Sequence, residues 1–457
     1  MSVLGKTIQE LAGYLGLKLA DSRVIEGFAV DSRKVKSGFV FFALAGDRVD
    51  GHLFLQEICD KGAIAAIVHS SFRDQIPGLL LISVDDVLAN LHFLASEFVR
   101  SQQVRIIGIT GSVGKTTTKE FCYTLLRTRY QVFKTPGNAN SQIGLPLSLL
   151  NQARLPEVLV LEMGMSAPGQ IAKLVAIAPP EVAVMTKIAP AHLEFFDEGM
   201  LGIAKEKSSI FSHAQTKRAI INGQASCFEV VVRSGACIKD FYGLQKVGIH
   251  GHNHYTFTKQ DSSVSIFDGV TTSPCLSLPF TEAHLVENFV ASALVARYFG
   301  LSWQAIGDSA CKLVGVEKRF EKIERSGIAF INDCYNANPI SMKAALSNLP
   351  KPLKGGRIIA VLGHMVELGT LSDQFHEEIG VFASEYVDVL FCLGEKCIPL
   401  RKGFEYSGKK VFWFQDIDDM KRELFNYINR GDVVLVKASN SVGLWRLLEF
   451  NEINLCF

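Results

Sequence analysis

The sequence predicts an α/β protein of three domains: a small α/β unit, a central parallel-sheet unit built around a phosphate-binding turn, and a Rossmann-like C-terminal unit. Three observations predict it. Short β-branched apolar runs such as VRIIGIT, EVLVLEMG and DVVLVKA recur with helical segments between them, the texture of parallel strands covered on both faces. One of these runs passes through a Gly-rich turn straight into a helix. The chain has 457 residues, which at roughly 150 per domain allows three units.

Residues 1–100 mix short strands and helices. AVDSRKVKSGFVFFAL holds two apolar strand-like pieces around a polar turn, and GHLFLQEICDKGAIAAIV reads as a helix running into a buried strand. In DDVLANLHFLASEFVRSQ, Val87, Leu88, Leu91, Leu94 and Phe98 recur at helical spacing, so this segment is expected to bridge to the next domain. Residues 101–314 begin at the strand VRIIGIT and continue with the strands EVLVLEMG, EVAVMTKI and RAIIN. Residues 246–280 alternate short strands and are expected to form an antiparallel insertion or edge. Residues 315–457 repeat the α/β texture, with strands expected at IAFIND, RIIAVLG, DVLFCLG, KVFWF and DVVLVKA.

Composition narrows the function. Lys plus Arg is 47 against 46 for Asp plus Glu, so the net charge of +1 provides no global field for a nucleic-acid backbone. No apolar run approaches the ~18 residues of a membrane span. The stretch MSVLGKTIQELAGYLG lacks the basic region, apolar core and cleavage site of a signal peptide. The ten cysteines, Cys59, Cys122, Cys227, Cys237, Cys275, Cys311, Cys334, Cys392, Cys397 and Cys456, form no CxxC pair and are expected to be buried reduced thiols. These features together predict a soluble, cytoplasmic protein; it is expected to act as a monomer, an expectation that composition does not itself carry.

The strongest motif is IIGITGSVGKTTTKE at 106–120. Gly111 and Gly114 permit backbone angles that a Cβ forbids. The N–H groups of Ser112, Val113 and their neighbours, with the helix N-terminus, can surround phosphate oxygens. Lys115 adds a positive charge, and the hydroxyl of Thr116 or Thr117 can ligate Mg²⁺. The usual spacing asks for Gly where Ile109 stands, but strand, turn, Lys, paired Thr and helix follow in the required order.

Downstream, Glu162 ends the strand VLVLEMG and should project from the same carboxyl edge as the phosphate turn, where a carboxylate can hold Mg²⁺. His192 follows the next strand in TKIAPAHLEFF. Lys207 lies on a helix in IAKEKSSIF, where the residues alone give no reason to prefer it over a solvated lysine. HGHNH places His250, His252 and His254 in alternation, so all three would share one face of a strand, most simply as a polar hairpin face and less simply as metal ligands.

Read together, TGSVGKTT, DSRKVKSGFVFFALAGDRVDGH, TPGNANSQIGLPLSLL, LEMGM, APAHLEFF and NDCYNANPISM resemble the Mur ligases, the ATP-dependent amide-forming enzymes of peptidoglycan synthesis, over nearly the whole chain. The later motifs narrow the resemblance to the member that joins D-alanyl-D-alanine to UDP-N-acetylmuramoyl-tripeptide. The resemblance implies one ligand per domain: the uridine nucleotide in the first, ATP in the second and the incoming dipeptide in the third. It also implies that Lys115 binds the γ-phosphate, that Thr116 and Glu162 bind one Mg²⁺ and His192 a second, and that Lys207 is carried as a carbamate, with Lys205 as its near competitor. Asn288 and Arg319 match positions that contact adenine and phosphate, and Asp333 matches a ribose contact. Asn336 and Asn338 lie in the segment facing the dipeptide and acyl end. Ser32, Arg33, Asp50, Gly51 and His52 fall in the uridine-nucleotide motifs, and Asn138 in the loop that holds the muramyl substrate.

Several positions depart from the family pattern: Glu287 and Ala291 around Asn288, Ser141 in the substrate loop, His364 in LGHMVELG and Asn440 in VKASNSVG. The phosphate and metal residues all persist, which implies an active enzyme. A folylpolyglutamate-synthase-like ligase shares the central chemistry but should lack the DSR…DGH domain. A switch GTPase would need an NKxD-type motif, and none is present.

Overall fold

The computed structural model describes residues 5–46, 49–246 and 248–449. Cys456 lies outside them. Three sheets follow one another along the chain. The first is all parallel, in the order β1 (Gly27–Ala29), β2 (Phe39–Phe42), β3 (Ala65–His69) and β4 (Leu80–Val84). The pieces flanking DSRKVKSG are therefore parallel neighbours rather than a hairpin.

The central sheet has nine strands: β5 (Arg105–Thr110), β6 (Val132–Lys134), β7 (Val158–Glu162), β8 (Val182–Met185), β9 (Arg218–Asn222), β10 (Ile238–Gly243), β11 (Asn253–Gln260), β12 (Ser263–Phe267) and β13 (Leu276–Ser277). Their spatial order is β13-β12-β11-β10-β9-β8-β5-β7-β6. Strand β5 thus lies between β7 and β8, and the connections leaving the neighbours β5 and β8 diverge, the first toward β6 and the second toward β9. Such a switch point opens a crevice at the carboxyl ends of the strands. Among the described strands of this sheet only β12 is reversed, antiparallel to both β11 and β13; β11 adds in parallel to β10, so residues 246–280 extend the sheet edge.

The third sheet has the order β14 (Glu321–Arg325), β15 (Ile328–Asn332), β19 (Val433–Lys437), β16 (Ile358–Leu362), β17 (Val389–Leu393) and β18 (Lys410–Phe414), parallel except for the β14–β15 pair.

The helix Val87–Arg100 joins the first two units. Asp86 caps it by accepting the Ala89 N–H, worth about 1 kcal/mol. Its apolar stripe, Leu91, Leu94, Ala95 and Phe98, is fully buried in a core shared between the first sheet and the central residues Leu145, Leu149 and Ile171. Each such Leu or Phe contributes about 1.5–3 kcal/mol on burial. Asn151 completes the joint by accepting the Phe28 N–H at 2.9 Å and donating to the Phe28 carbonyl at 3.0 Å. The opposite face of the central sheet packs under the helices Lys115–Leu126 and Ala283–Tyr298. No helix among the described residues is long and apolar enough to cross a membrane.

Two expectations need correction. His250 and His252 lie before β11, and only His254 is in it, so the three do not share a strand face. The His252 and His254 rings instead pack on Phe241, and His254 Nε2 lies 2.7 Å from the Ile249 carbonyl. The cysteines are not uniformly buried: Cys227, Cys275 and Cys311 are exposed and Cys59 is partly so, because they lie at or near helix ends or, for Cys275, in the connection before β13, not on the core strands.

Candidate functional site

The phosphate turn leaves β5 after Thr110 at the switch point. Gly111 has φ +144° and Gly114 φ +86°, both in the region that disfavours side chains. A Cβ on Gly111 would stand 1.8 Å from Thr186 Oγ1, and one on Gly114 would stand 2.4 Å from Asn288 Oδ1. The turn is strapped from the segment after β8. Ser112 N–H donates to the Lys187 carbonyl at 2.8 Å, Ser112 Oγ donates to the Ala189 carbonyl at 2.9 Å, and Thr186 Oγ1 donates to the Val113 carbonyl at 2.6 Å. The result is a rigid concavity at the N-terminus of the helix Lys115–Leu126, suited to an anionic phosphate.

Around it lies a cavity of about 360 Å³. It is lined by Gly111, Ser112, Val113, Gly114, Lys115 and Thr117 from the turn, by Glu162, His192, Lys207 and Asn288 from the rest of the central unit, and by Arg319, Asp333, Asn336 and Asn338 from the segment that carries the third sheet. Sequence-distant candidates from two units thus meet in one crevice.

Thr116 lies behind this surface. Its Oγ1 donates to Glu162 Oε2 at 2.7 Å and accepts from Arg319 Nη2 at 2.8 Å. Asn140 Nδ2 donates to the other carboxylate oxygen of Glu162 at 2.7 Å. Burial opposes the charge on Glu162, but Lys115, Arg319, the Thr116 hydroxyl and Lys119 outweigh it, so the carboxyl is held below its usual range. A permanently ionised carboxylate beside a hydroxyl is a donor set that suits Mg²⁺. Arg319 is itself held flat, its guanidinium 3.8 Å from the centroid of the Tyr335 ring, and its buried Nε has no hydrogen-bond partner among the described residues. An unpaired buried donor beside a phosphate turn fits an anionic ligand.

Lys207 lies on the helix Met200–Ser208 and is only 2% exposed. Burial, and then the charge of Lys115, drive its pKa well below the usual lysine range. Lys205 points to solvent and pairs with Glu198 at 2.6 Å, so it is Lys207 that reaches the cavity. Glu206, between them, accepts the N–H groups of Gly169 and Ile171 at 2.7 Å and is occupied as a helix cap.

The third unit supplies Asp333, whose Oδ2 pairs with the buried Lys437 at 2.6 Å and whose Oδ1 accepts the Phe320 N–H at 3.1 Å. Asn338 caps the helix Pro339–Ser347, accepting the Ser341 N–H at 2.9 Å. Its Oδ1 is therefore committed to the helix and the residue is buried, whereas Asn336, whose Oδ1 accepts the Ala337 N–H at 2.8 Å, is exposed.

The remaining candidates sit elsewhere. Asn138 is exposed and does not itself line the cavity, but its side chain hydrogen-bonds Tyr335 on the cavity wall, and its loop also offers Asn140 and Ser141. Ser32 and Arg33 follow β1, and Asp50, Gly51 and His52 follow β2, so both groups lie at the carboxyl edge of the first sheet. Arg33 is exposed and pairs with Asp31 at 2.8 Å, while Asp50 Oδ1 lies 2.6 Å from His52 Nδ1. Of the departures, Glu287 lines the cavity and pairs with Lys187 at 2.6 Å, but Ala291 is core. His364 and Asn440 do not line it. Sequence reasoning passed over Asn140, Lys119, Lys187, Tyr335 and the buried His284. Only His284, at the head of the helix that carries Asn288, offered a signal, through its four-residue spacing from that asparagine.

Three family models match the chain in succession: "Mur ligase family, catalytic domain" at residues 24–98, "Mur ligase middle domain" at 109–296 and "Mur ligase, glutamate ligase domain" at 318–440. The chain belongs to the Mur ligase family. A relative from Bacillus subtilis, UDP-N-acetylmuramoyl-tripeptide–D-alanyl-D-alanine ligase, is 33% identical with 97% of each chain covered. The ligase of the same name from Treponema pallidum is 32% identical, over 95% of this chain and 96% of its own. Among solved structures, MurF ligase from Thermotoga maritima in complex with ADP has a TM-score of 0.78 at 33% identity, covering 94% of this chain and 97% of its own. MurF from Acinetobacter baumannii has a TM-score of 0.82 at 27% identity, covering 97% of this chain and 98% of its own. FolC from E. coli shares the fold at 20% identity, covering only 79% of this chain.

Proposed function

We propose that this Mur ligase joins D-alanyl-D-alanine to UDP-N-acetylmuramoyl-tripeptide at the expense of ATP, the step that forms the UDP-muramyl pentapeptide of peptidoglycan. The observation that carries the reading is full-length relatedness to ligases of that name at up to 33% identity, with the phosphate and carboxylate residues of the site intact. The enzyme is taken to act in the cytoplasm as a monomer, with boundaries near residues 100 and 315 and one ligand per domain.

In this reading ATP lies along the turn from Gly111 to Thr117, with Asn288 at the base end and Asp333 toward the ribose. Thr116 and Glu162 would hold one Mg²⁺, and His192 with Lys207 carried as a carbamate would hold a second. Bound there, the ions would neutralise charge on the phosphates. The low pKa of Lys207 supports the carbamate: a neutral amine adds CO₂ and releases a proton, turning a cation into an oxygen ligand. Ser32, Arg33, Asp50, Gly51 and His52 serve the uridine nucleotide, and Asn138 with its loop serves the muramyl group. Asn336 and Asn338 belong to the acyl and dipeptide end.

The tripeptide carboxylate attacks the γ-phosphorus, the bond to ADP breaks and an acyl phosphate forms. Lys115 and Arg319 place positive charge where the transferred group gathers it, so positioning and electrostatics do most of the work. The dipeptide amine then attacks the acyl carbon, the carbon–oxygen bond to phosphate breaks, and one proton is released. An acyl phosphate hydrolyses readily, so closure of the crevice by the third domain protects it.

Phosphate release measured with and without D-alanyl-D-alanine tests the reading, with mass spectrometry of the product from lysine- and diaminopimelate-containing tripeptides. Release that ignores the dipeptide would defeat it.

A further inference from the structure

His192 and Glu367 face each other across the crevice. Glu367 Oε2 lies 2.5 Å from His192 Nδ1, although His192 belongs to the segment after β8 and Glu367 to the segment after β16. The contact falls short of hydrogen-bond geometry, and no other group hydrogen-bonds Nδ1 among the described residues. Both residues adopt left-handed backbone, φ +60° for His192 and +65° for Glu367, a conformation that side chains other than glycine rarely take. Two strained residues opposite one another mark a joint that the surrounding packing enforces. That packing is visible: Leu193 packs against both the central core and the core of the third sheet, and a Cβ on Gly369 would come within 3.5 Å of Glu194.

We propose that Glu367 is a positioning residue for His192: its carboxylate accepts a hydrogen bond from Nδ1–H, which leaves Nε2 as the free ring nitrogen, and does so only when the third domain is seated on the central one. A metal-binding imidazole is commonly oriented through its other nitrogen by a carboxylate, and losing that carboxylate costs about 10–100-fold in metal affinity. Here the orienting group comes from the domain that would carry the dipeptide, so seating that domain and completing the phosphate site become one event. The inference rests on the reading of His192 as a metal-facing residue.

The test is Mn²⁺ titration of the full chain by electron paramagnetic resonance, with a non-hydrolysable ATP analogue and the UDP-muramyl tripeptide, alongside kcat and KM. Glu367→Ala should weaken the His192-dependent Mn²⁺ by about 10-fold or more. It should lower kcat in parallel while leaving the tripeptide KM nearly unchanged. Glu367→Gln, whose amide oxygen can accept the same proton, should recover most of both and keeps the comparison available if the alanine variant folds poorly. Wild-type Mn²⁺ affinity and kcat in both variants would overturn the proposal. His192→Ala separates the two layers: if it too leaves Mn²⁺ binding unchanged, the reading of His192 fails, whereas if it alone weakens Mn²⁺, only the role of Glu367 fails.

Discussion

Arg319 donates a hydrogen bond to Thr116 Oγ1 at 2.8 Å, and that same hydroxyl donates to Glu162 at 2.7 Å. A residue leading into the third sheet therefore completes the polar network of the phosphate helix. Arg319→Ala removes both a charge aimed at the transferred phosphoryl group and the donor to Thr116. Loss of such a donor costs about 10²–10³ in kcat. We expect a fall of that order, with Arg319→Lys recovering little because one ammonium cannot both stack on Tyr335 and reach Thr116. Steady-state kinetics decide it, and a kcat within about 3-fold of wild type in the alanine variant would refute the role.

Lys207 gives a prediction on pH. Its folded pKa lies well below the unfolded value because it is buried and faces Lys115. Between those two values the unfolded chain binds more protons, so stability rises with pH across the interval. Below the folded pKa the amine is protonated and cannot take up CO₂, so activity should fall as pH drops through it. Lys207→Met should abolish ligation yet raise the Tm at neutral pH by about 2 °C, since it replaces a buried polar amine with an apolar chain of similar length. Short carboxylic acids should restore some activity to Lys207→Ala. Incubation with ¹³C-bicarbonate should give a carbamate signal in wild type that is absent from the variant; the same signal in both would assign it elsewhere.

The contrast between Lys115 and Lys207 explains what was legible. Lys115, Thr116 and Glu162 were readable because strand, turn and helix fix their directions locally, and the fold class followed from the β-branched runs for the same reason. Lys207 was reachable only through family resemblance, because its burial is decided by which face of Met200–Ser208 packs inward. Lys119 was missed entirely. It looks like a solvated lysine one turn past Lys115, yet it is fully buried and donates to the carbonyls of Thr135 and Gly137 at 2.8 and 2.9 Å, bracing the loop that carries Asn140. HGHNH misled because alternation implies a shared face only within a strand, and β11 begins at Asn253. Glu367 had no local signal, since its partner is far away in sequence.

Gly111 tests the turn itself. With φ +144° and Thr186 Oγ1 1.8 Å from where a Cβ would stand, Gly111→Ala must break either the turn or its strap. We expect loss of measurable ADP binding by calorimetry, with destabilisation of about 1–3 kcal/mol. Normal ADP affinity in a folded Gly111→Ala variant would show that the turn does not hold the phosphates.

The pair of Lys187 and Glu287 offers the last test, because it sets two effects of opposite sign against each other. The side chains meet at 2.6 Å on the cavity wall and are 21% and 16% exposed. Glu287→Gln leaves the Lys187 ammonium without its partner, which should cost about 1 kcal/mol of stability, less than for a fully buried pair because water reaches both groups. The same change removes a negative charge from a cavity that would receive an anionic nucleotide, so ADP should bind more tightly, by about 3-fold, with a steeper dependence on salt. Adding Lys187→Met should return the stability and cancel the gain in affinity. A double-mutant cycle on both quantities measures the coupling, and additivity within about 0.5 kcal/mol would mean that the two side chains touch without acting on each other.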